Sequence, residues 1–306
     1  MKYYLLFDVG GTMVKCNVFD EGGVPYLGES MAFLANSSTE KEDILNGFIL
    51  MIESLVNSVN EAQKIIAGIG FAFPGPFDYE NGVCLVRKLS KYEALYGSNL
   101  KTEIKRRLKN SSVYSFFVPD YTIIFENDAV LFALGEAKFG HGRGHQRVAC
   151  FTLGTGCGST FIKDGKIVKG EEGIPVKGMI YDQSFEEGII DDYISARGLR
   201  RIADKYLLEY YSGKELFEMA LNGDRDVQKV FYEFGENSGR ALGKFIYDFQ
   251  ADIVIFGGQI SKSYDFFKEG LAKGLSQSIE VKISKDTPVS TMYGLYVFLN
   301  ERDRSK

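Results

Sequence analysis

Short apolar runs and longer amphipathic stretches alternate along the chain. The apolar and aromatic runs at 3–7, 14–19 and 65–73 have the length and composition of buried strands. Between the last two of these runs, apolar residues recur at three- and four-residue spacing, which predicts a helix with one buried face. That face consists of Ile44, Phe48, Ile52, Leu55 and Val59. Thr39 and Glu42 have the spacing of a capping box, so we expect Thr39 to cap this helix.

The same two patterns continue to the end of the chain. Residues 29–34 extend the first two strands into a predicted meander, and four β-branched or aromatic residues at 253–256 predict a buried strand. Further helices are predicted at 100–108, 128–139 and 292–302, and over most of 193–249 with interruptions near 213 and 222–223. Strands that alternate with helices in this way indicate an α/β fold.

A glycine turn separates the first two predicted strands. Its residues are Asp8, Gly10, Gly11 and Thr12, and Lys15 follows on the second strand. Because glycine has no Cβ, backbone N–H groups of such a turn can approach a polyphosphate. Asp8 can hold a hydrated Mg²⁺, Thr12 offers a hydroxyl group and Lys15 a positive charge. An ordinary hairpin is the alternative, since glycine pairs between strands are common.

Two further glycine elements lie in the second half of the chain. The turn at 153–159 repeats the strand–turn–strand arrangement, and its candidate phosphate-binding residues are Gly154, Thr155, Gly156 and Gly158. The other element follows the strand at 253–256, where Gly257 and Gly258 can pass close to a flat ligand such as adenine. Two turns of one kind suggest a duplicated architecture, with a phosphate loop from each half facing a shared cleft. All three elements together favour nucleotide phosphate binding over structural turns.

Composition and charge exclude several classes of function. The 306 residues, 45% of them hydrophobic, are enough for two domains with separate cores. The net charge of −5, with bases and acids interspersed, argues against nucleic acid as a partner. No apolar run approaches the ~18 residues of a membrane span, and the N-terminus lacks the layout of a secretion signal. The 4 cysteines have no metal-ligand spacing, so we expect buried thiols in a reducing cytoplasm.

Four motifs make the chain resemble a known family. They are Asp8-Val9-Gly10-Gly11-Thr12, Pro74-Gly75-Pro76, Glu126-Asn127-Asp128 and Leu153-Gly154-Thr155-Gly156-Cys157-Gly158. Their order and spacing resemble the ROK sugar kinases of the actin/hexokinase/Hsp70 ATPase superfamily. The resemblance implies an α/β, two-lobed actin-like ATPase (ribonuclease H-like) fold, with duplicated mixed sheets and flanking helices. It also implies a homodimer. We place the N-terminal lobe at 1–120 plus 292–306 and the C-terminal lobe at 121–291.

The resemblance assigns roles to residues of these motifs. It implies ATP as cosubstrate, with Mg²⁺ held by Asp8 through water. Asp128 would be the general base for a sugar hydroxyl, Asn127 would hydrogen-bond the sugar, and Gly75 would border it. Judged from the residues alone, Asn127 or Asp128 could instead only cap a helix, and the Pro-Gly-Pro segment could be a simple turn.

The chain departs from the family pattern around the zinc loop that many ROK proteins carry. The positions of the zinc cysteines hold Asp182, Ser184 and Ile189, so we predict no zinc site. The family's Gly-Glu-x-Gly-His element, which serves zinc and sugar, aligns with 176–180, where neither the glutamate nor the histidine is present. Asp191 stands where the family has a later sugar-binding glutamate, and its carboxylate can still accept a hydrogen bond from a sugar hydroxyl.

In the family, the missing residues contact the sugar near its reducing end. We therefore expect phosphorylation of the 6-hydroxyl of a hexose or hexose glycoside, with altered recognition of the reducing end. A degenerate ROK sugar-binding sensor without efficient turnover is one alternative, and an acetate-kinase-like or Hsp70-like ATPase is another. The first strand begins at Lys2 and leaves no room for the helix-turn-helix of ROK repressors, which favours the kinases.

Overall fold

The computed structural model describes residues 1–61, 63–88, 90–275 and 277–304, with side chains to residue 301. The elements up to residue 139 are β1 (Lys2–Val9), β2 (Met13–Asp20), β3 (Met31–Leu34), α1 (Lys41–Ser58), β4 (Ile65–Ala72), β5 (Phe77–Asp78), β6 (Val83–Cys84), α2 (Leu100–Leu108), β7 (Phe117–Glu126) and α3 (Asp128–Phe139). The later elements are β8 (Arg147–Leu153), β9 (Cys157–Lys163), β10 (Lys166–Ile167), β11 (Ser184–Phe185), β12 (Gly188–Ile189), α4 (Ala196–Tyr206), α5 (Gly213–Leu221), α6 (Arg225–Asp248), β13 (Ile253–Gly257), α7 (Tyr264–Gly274), β14 (Glu280–Ile283) and α8 (Thr287–Arg304).

The chain forms two compact units, whose boundary differs from the predicted one. The first unit comprises Met1–Gly135 and Pro288–Lys306, and the second comprises Glu136–Thr287. The boundary predicted at 120/121 falls inside β7. Because β7 is hydrogen-bonded in parallel to β4, the strand and the Asp128 that follows it belong to the first unit, not to the second as predicted.

The first unit is built on a five-stranded sheet with the order β3-β2-β1-β4-β7. Strands β1 to β3 form an antiparallel meander, β4 runs parallel to β1, and β7 runs parallel to β4. Leu5 and Phe7 of β1 point into a core shared with α1 and α2, whereas Tyr4 and Leu6 point into a core shared with α3 and α8. Both faces of the sheet are therefore covered, which explains why β1 is a continuous apolar run.

Helix α8 packs against α3 and so fixes the position of Asp128. A Cβ at Gly135 would collide with the Ser290 carbonyl group, and a Cβ at Gly294 would collide with the Leu131 carbonyl group. Two helices that approach this closely need glycine at the contact. The last helix belongs to the first unit, and α3 holds Asp128 directly after the end of β7.

The second unit repeats the sheet arrangement of the first. Its order is β10-β9-β8-β13-β14, with β8 to β10 antiparallel and the other two strands parallel to β8. Phe151, Phe161 and Phe256 lie in its core, together with apolar residues of α4 to α7. The predicted duplication of mixed sheets with flanking helices is confirmed.

The predicted helices are present, but the predicted cap of α1 is wrong. The helix begins at Lys41 after Glu40, and no side chain caps it. The Thr39 hydroxyl instead donates to the Asn36 carbonyl oxygen (2.8 Å). A local turn thus competes successfully for the hydroxyl group that the capping box would use.

Two further properties bear on the expectations from composition. The cysteines Cys16, Cys84, Cys150 and Cys157 are all buried and free, as expected. Burial raises the pKa of the Cys16 thiol to about 12, so it stays protonated and unreactive near neutral pH. None of the helices in the described ranges is long and apolar enough to cross a lipid bilayer.

Candidate active site

The first glycine turn joins β1 to β2 and is held through its carbonyl groups. The Tyr92 hydroxyl donates to the Gly10 carbonyl oxygen (2.7 Å), and the Ser37 hydroxyl donates to the Gly11 carbonyl oxygen (2.6 Å). A Cβ at Gly10 would lie 2.8 Å from the Met13 carbonyl oxygen, so the tight turn requires glycine. The predicted phosphate-binding turn is therefore anchored to the protein, while Gly10 itself is exposed to solvent.

Asp8 and Lys15 flank this turn from opposite strands. They face each other directly in the antiparallel pairing of β1 with β2, which places both side chains on one face of the sheet. Asp8 is half-buried, whereas Lys15 and Thr12 are exposed. Burial and, secondarily, the charge of Asp8 raise the pKa of Tyr92, so that hydroxyl remains a donor. A half-buried carboxylate beside an exposed turn fits a hydrated magnesium ion.

The Pro-Gly-Pro segment and the start of α3 meet at the hydroxyl group of Tyr79. This hydroxyl donates to the Phe73 carbonyl oxygen (3.0 Å) and accepts from Nδ2 of Asn127 (3.4 Å). It also lies 3.3 Å from the position that a Cβ of Gly75 would take. Burial raises the pKa of Tyr79, so the hydroxyl stays protonated. The structure thus brings Gly75 and Asn127 together, as two residues of one predicted sugar site should be.

Asn127 and Asp128 both accept hydrogen bonds at the amino end of α3. Oδ1 of Asn127 accepts from the N–H groups of Ala129 (3.0 Å) and Val130 (3.3 Å), and Oδ1 of Asp128 accepts from Ala129 (2.9 Å). The helix-capping alternative is therefore correct as a description of the geometry. Capping does not bury the residue as a whole, because Asp128 remains exposed.

Desolvation by the surrounding protein raises the pKa of Asp128 above its ordinary value. The hydrogen bond from the Ala129 N–H and the positive charge of Lys91 lower the pKa in part. Asp128 is exposed as a residue, while the protein around its carboxyl group desolvates that group. A carboxylate with a raised pKa accepts a proton more readily than an ordinary aspartate, as a general base should.

The second glycine turn joins β8 to β9 and is held by the segment that precedes α4. The Ala196 N–H donates to the Gly154 carbonyl oxygen (2.8 Å), and Oδ1 of Asp191 accepts from the Cys157 N–H (2.6 Å). Of the predicted ligands, Gly154, Thr155 and Gly156 form the turn itself, and Gly158 lies in β9 opposite Thr152. Thr155 is exposed and the three glycines are half-buried, so this turn too is open to a ligand.

Gly257 and Gly258 lie beside the second turn, as residues of one nucleotide site should. Strand β13 runs parallel to β8 and places Gly257 opposite Thr152. Gly258 has a left-handed backbone (φ +86°), and a Cβ there would collide with the Leu153 carbonyl group. Its N–H group donates to Oγ1 of Thr287 (2.9 Å). The third glycine element is thus in backbone contact with the residue that begins the second turn.

Asp191 is engaged by other residues of the second unit. One carboxylate oxygen accepts from the Cys157 N–H, and the other pairs with Arg197. Arg197 also lies 3.7 Å from the Asp192 carboxylate. A Cβ at Gly156 would lie 3.1 Å from Oδ1 of Asp191, so carboxylate and turn are packed together. Asp191 supports the second glycine turn, and its contact with sugar stays a prediction.

The positions that correspond to the family's zinc cysteines form a short hairpin. Asp182 precedes it, Ser184 lies in β11, and Ile189 lies in β12, which pairs antiparallel with β11. The ring of Phe185 packs edge to face on Tyr193, with 5.1 Å between centroids, and this contact stabilises the hairpin. In the part of the chain that the structure describes, no three His, Cys, Asp or Glu side chains are grouped to hold a metal ion.

Sequence analysis missed four side chains that contact the predicted site residues. They are Ser37, Tyr79, Lys91 and Tyr92. No glycine motif or hydrophobic period marks them, because each reaches its partner across a loop. A tyrosine between irregular segments has no local sign of the carbonyl group that it will bind. These contacts could therefore be found only from the tertiary structure.

Comparison with known proteins shows similarity over most of the chain. The model of the ROK family matches residues 4–291. The chain is 27% identical over 278 residues to a glucokinase of Thermotoga maritima, covering 84% of this chain and 81% of that protein. It is 23% identical over 306 residues to an N-acetyl-D-glucosamine kinase of Haemophilus influenzae, covering 94% and 93%. A ROK family glucokinase of Streptomyces griseus, solved with glucose and AMPPNP, superimposes with a TM-score of 0.72 at 21% identity, covering 96% and 98%.

Proposed function

The chain belongs to the ROK family, and we propose that it is an ATP-dependent sugar kinase with Asp128 as its general base. The observation that carries the proposal is Asp128, which is exposed as a residue, has a carboxyl group with a raised pKa and begins α3 directly beside Asn127. The glucokinase and N-acetyl-D-glucosamine kinase relatives make a hexose or an amino sugar the candidate acceptor.

In this proposal Asp128 takes the proton of the sugar hydroxyl while the hydroxyl oxygen bonds to the γ-phosphorus of ATP. The bond between the γ-phosphorus and the bridging oxygen breaks, and ADP leaves with the electron pair. Asn127 would hydrogen-bond the sugar next to the reacting hydroxyl. A positioned base of this kind contributes on the order of 10²–10⁴-fold to the rate.

We assign the nucleotide to the glycine elements of the two units. In the first unit the assigned residues are Asp8, Gly10, Gly11, Thr12 and Lys15, with Asp8 as the candidate Mg²⁺ ligand through water. In the second unit they are Gly154, Thr155, Gly156 and Gly158 for phosphate, and Gly257 and Gly258 for adenosine. Phosphoryl transfer depends mainly on positioning and charge stabilisation, and Mg²⁺ would supply part of that charge.

We also propose that the 6-hydroxyl of the sugar is phosphorylated and that the reducing end is recognised by other means than in zinc-bearing ROK proteins. The segment at 176–180 supports this, since Val176 and Lys177 are exposed and the Ile180 N–H donates to Oγ of Ser159 (3.0 Å). A glycoside, a disaccharide or a substituted hexose would then be preferred to a free hexose.

The test is an ADP-release assay with MgATP and a panel of free hexoses, amino sugars and β-glucosides. It compares the wild type with Asp128→Asn, which keeps the shape of the side chain and removes the base. We expect the sugar-dependent rate of Asp128→Asn to fall on the order of 10²–10⁴-fold. Asp164→Asn is the matched control, because Asp164 lies in an exposed turn with a left-handed backbone that asparagine tolerates.

The outcomes separate the alternatives. Sugar-dependent ADP release that persists in Asp128→Asn would reject Asp128 as the base. No stimulation by any sugar, with sugar binding still detectable, would favour the sensor. A preference for free glucose over every glycoside would keep the kinase and contradict the proposal about the reducing end.

A further inference from the structure

Lys91 lies against the first glycine turn although it belongs to none of the recognised motifs. Its Cδ is 3.1 Å from the position that a Cβ of Gly11 would take, so the aliphatic part of the side chain covers the turn. Desolvation raises the pKa of Asp128, and the positive charge of Lys91 is among the groups that lower it. One side chain therefore contacts the predicted phosphate turn and also acts electrostatically on the predicted base.

The residue that follows Lys91 fixes its backbone to the same turn. Tyr92 is completely buried, and its N–H donates to the Ser37 carbonyl oxygen (2.6 Å). Its hydroxyl donates to the Gly10 carbonyl oxygen (2.7 Å). Lys91 thus precedes a residue that is hydrogen-bonded to the glycine turn, which keeps its side chain near Gly11.

The residue that precedes Lys91 is held as well. The Ser90 N–H donates to Oε1 of Glu93 (2.8 Å), and the Ser90 carbonyl oxygen accepts from the Ser38 hydroxyl (3.2 Å). Ser90 and Tyr92 both have left-handed backbones, with φ of 56° and 57°. Such conformations are unfavourable for residues other than glycine, and they persist where the surroundings enforce them, often at functional sites. Lys91 lies between the two.

We propose that Nζ of Lys91 binds the transferring γ-phosphoryl group of ATP and stabilises the charge on its oxygens in the transition state. The inference rests on the proposed function and adds a catalytic cation to it. The sugar oxygen bonds to the γ-phosphorus, the bond to the bridging oxygen breaks, ADP leaves with the electron pair, and the proton goes to Asp128. Lys91 exchanges no proton, and its role is electrostatic.

The pH dependence of the rate distinguishes an electrostatic role of Lys91 from a packing role, because the loss of packing alone would not shift it. Other titratable groups in this part of the first unit are Tyr79, Glu126 and Cys84, and Tyr92 with Asp8 at the glycine turn. Burial raises the pKa of Tyr79, which keeps it neutral, and Oε1 of Glu126 accepts from the Asn127 N–H (2.8 Å). Removal of the Lys91 charge therefore takes away a positive charge that favours ionised Asp128, and the pKa of Asp128 should rise.

The experiment compares Lys91→Met, Lys91→Arg and Lys88→Met in steady-state assays over a range of pH. Methionine keeps an aliphatic side chain over Gly11 and removes the charge, arginine keeps a charge, and Lys88 is an exposed lysine of the same segment. We expect Lys91→Met to lower kcat on the order of 10²-fold with little change in the KM for sugar. The pH at which kcat of Lys91→Met falls to half of its maximum on the acid side should be higher than for the wild type. Lys91→Arg should recover most of the rate, and Lys88→Met should match the wild type.

Equal kcat for Lys91→Met and the wild type would overturn the inference. A lower kcat with an unchanged half-maximal pH on the acid side and a lower melting temperature would assign a structural role to Lys91, and would overturn it too. Calorimetric titration with MgATP and MgADP separates this inference from the proposed function, because it needs no sugar. Lys91→Met should weaken the binding of ATP more than that of ADP, and equal weakening would reject the γ-phosphoryl contact even if no sugar proves to be a substrate.

Discussion

The two glycine turns look alike in the sequence, but the protein holds them by opposite means. The hydroxyl groups of Tyr92 and Ser37 donate to carbonyl oxygens of the first turn, and the side chain of Lys91 covers it. The second turn is held by the Asp191 carboxylate, which accepts a backbone N–H and is paired with Arg197. The first turn therefore has neutral supports and a nearby cation, whereas the second has an anionic support with its own counter-ion.

This difference shows that a repeated backbone motif need not have repeated electrostatics. A carboxylate close to a turn that binds phosphate would repel the nucleotide unless a cation offsets it. Arg197 can supply that compensation at the second turn, so its effect should fall on nucleotide affinity. Lys91 adds positive charge at the first turn and acts on the Asp128 carboxylate, so its effect should fall on the reaction itself.

The largest effect on stability is expected for Gly258→Ala, at the contact between β13 and the second turn. The added Cβ would collide with the Leu153 carbonyl group in a left-handed backbone, so the strand end must move. We expect a loss of about 3–5 kcal/mol in the free energy of unfolding, measured by denaturant titration. Gly165→Ala is the control, since Gly165 is also left-handed but has open space around it, and it should lose about 1–2 kcal/mol. Equal losses would show that the backbone conformation alone sets the effect.

Arg197→Met should raise the KM for ATP on the order of tenfold with little change in kcat, because the Asp191 charge beside the second turn loses its partner. Arg200→Met removes a similarly exposed arginine from the same helix and should have little effect.

The decisive control for this pair is the double variant Arg197→Met with Asp191→Asn. Asparagine still accepts the Cys157 N–H hydrogen bond and carries no charge, so the double variant should recover most of the ATP affinity. A double variant as weak as Arg197→Met would contradict the charge-compensation account of the second turn.

A smaller effect is expected for Tyr92→Phe at the first turn. The change keeps the buried ring and removes the hydroxyl that donates to the Gly10 carbonyl oxygen, which should cost about 1–2 kcal/mol of unfolding free energy. Tyr96→Phe, at an exposed tyrosine, should cost almost nothing. If the two variants were equally stable, the neutral support assigned to the first turn would be unimportant.

The sequence was sufficient to predict those parts of the molecule that depend on local pattern. Apolar runs mark the strands that lead into and out of each glycine turn, and the bounds of α2 and α3 follow from helical periodicity. The lobe boundary predicted at 120/121 falls inside β7, because β7 pairs with β4, a strand distant in sequence, and the residues of β7 do not indicate that pairing. Lys91 and Tyr79 were missed for the same reason, since their contacts arise only after distant segments pack.

The most direct test of the account is the pH dependence of kcat/KM for sugar phosphorylation by the wild type, with folding monitored in parallel. A base must be deprotonated to act, so the rate should fall as the pH drops through the pKa of Asp128. We expect kcat/KM to fall to half of its maximum at a pH above the ordinary aspartate pKa of 3.8, because desolvation raises the pKa of Asp128. The residual rate of Asp128→Asn should show no such fall at acid pH. A rate that stays constant down to about pH 4, or a fall at acid pH that persists in Asp128→Asn, would contradict the account.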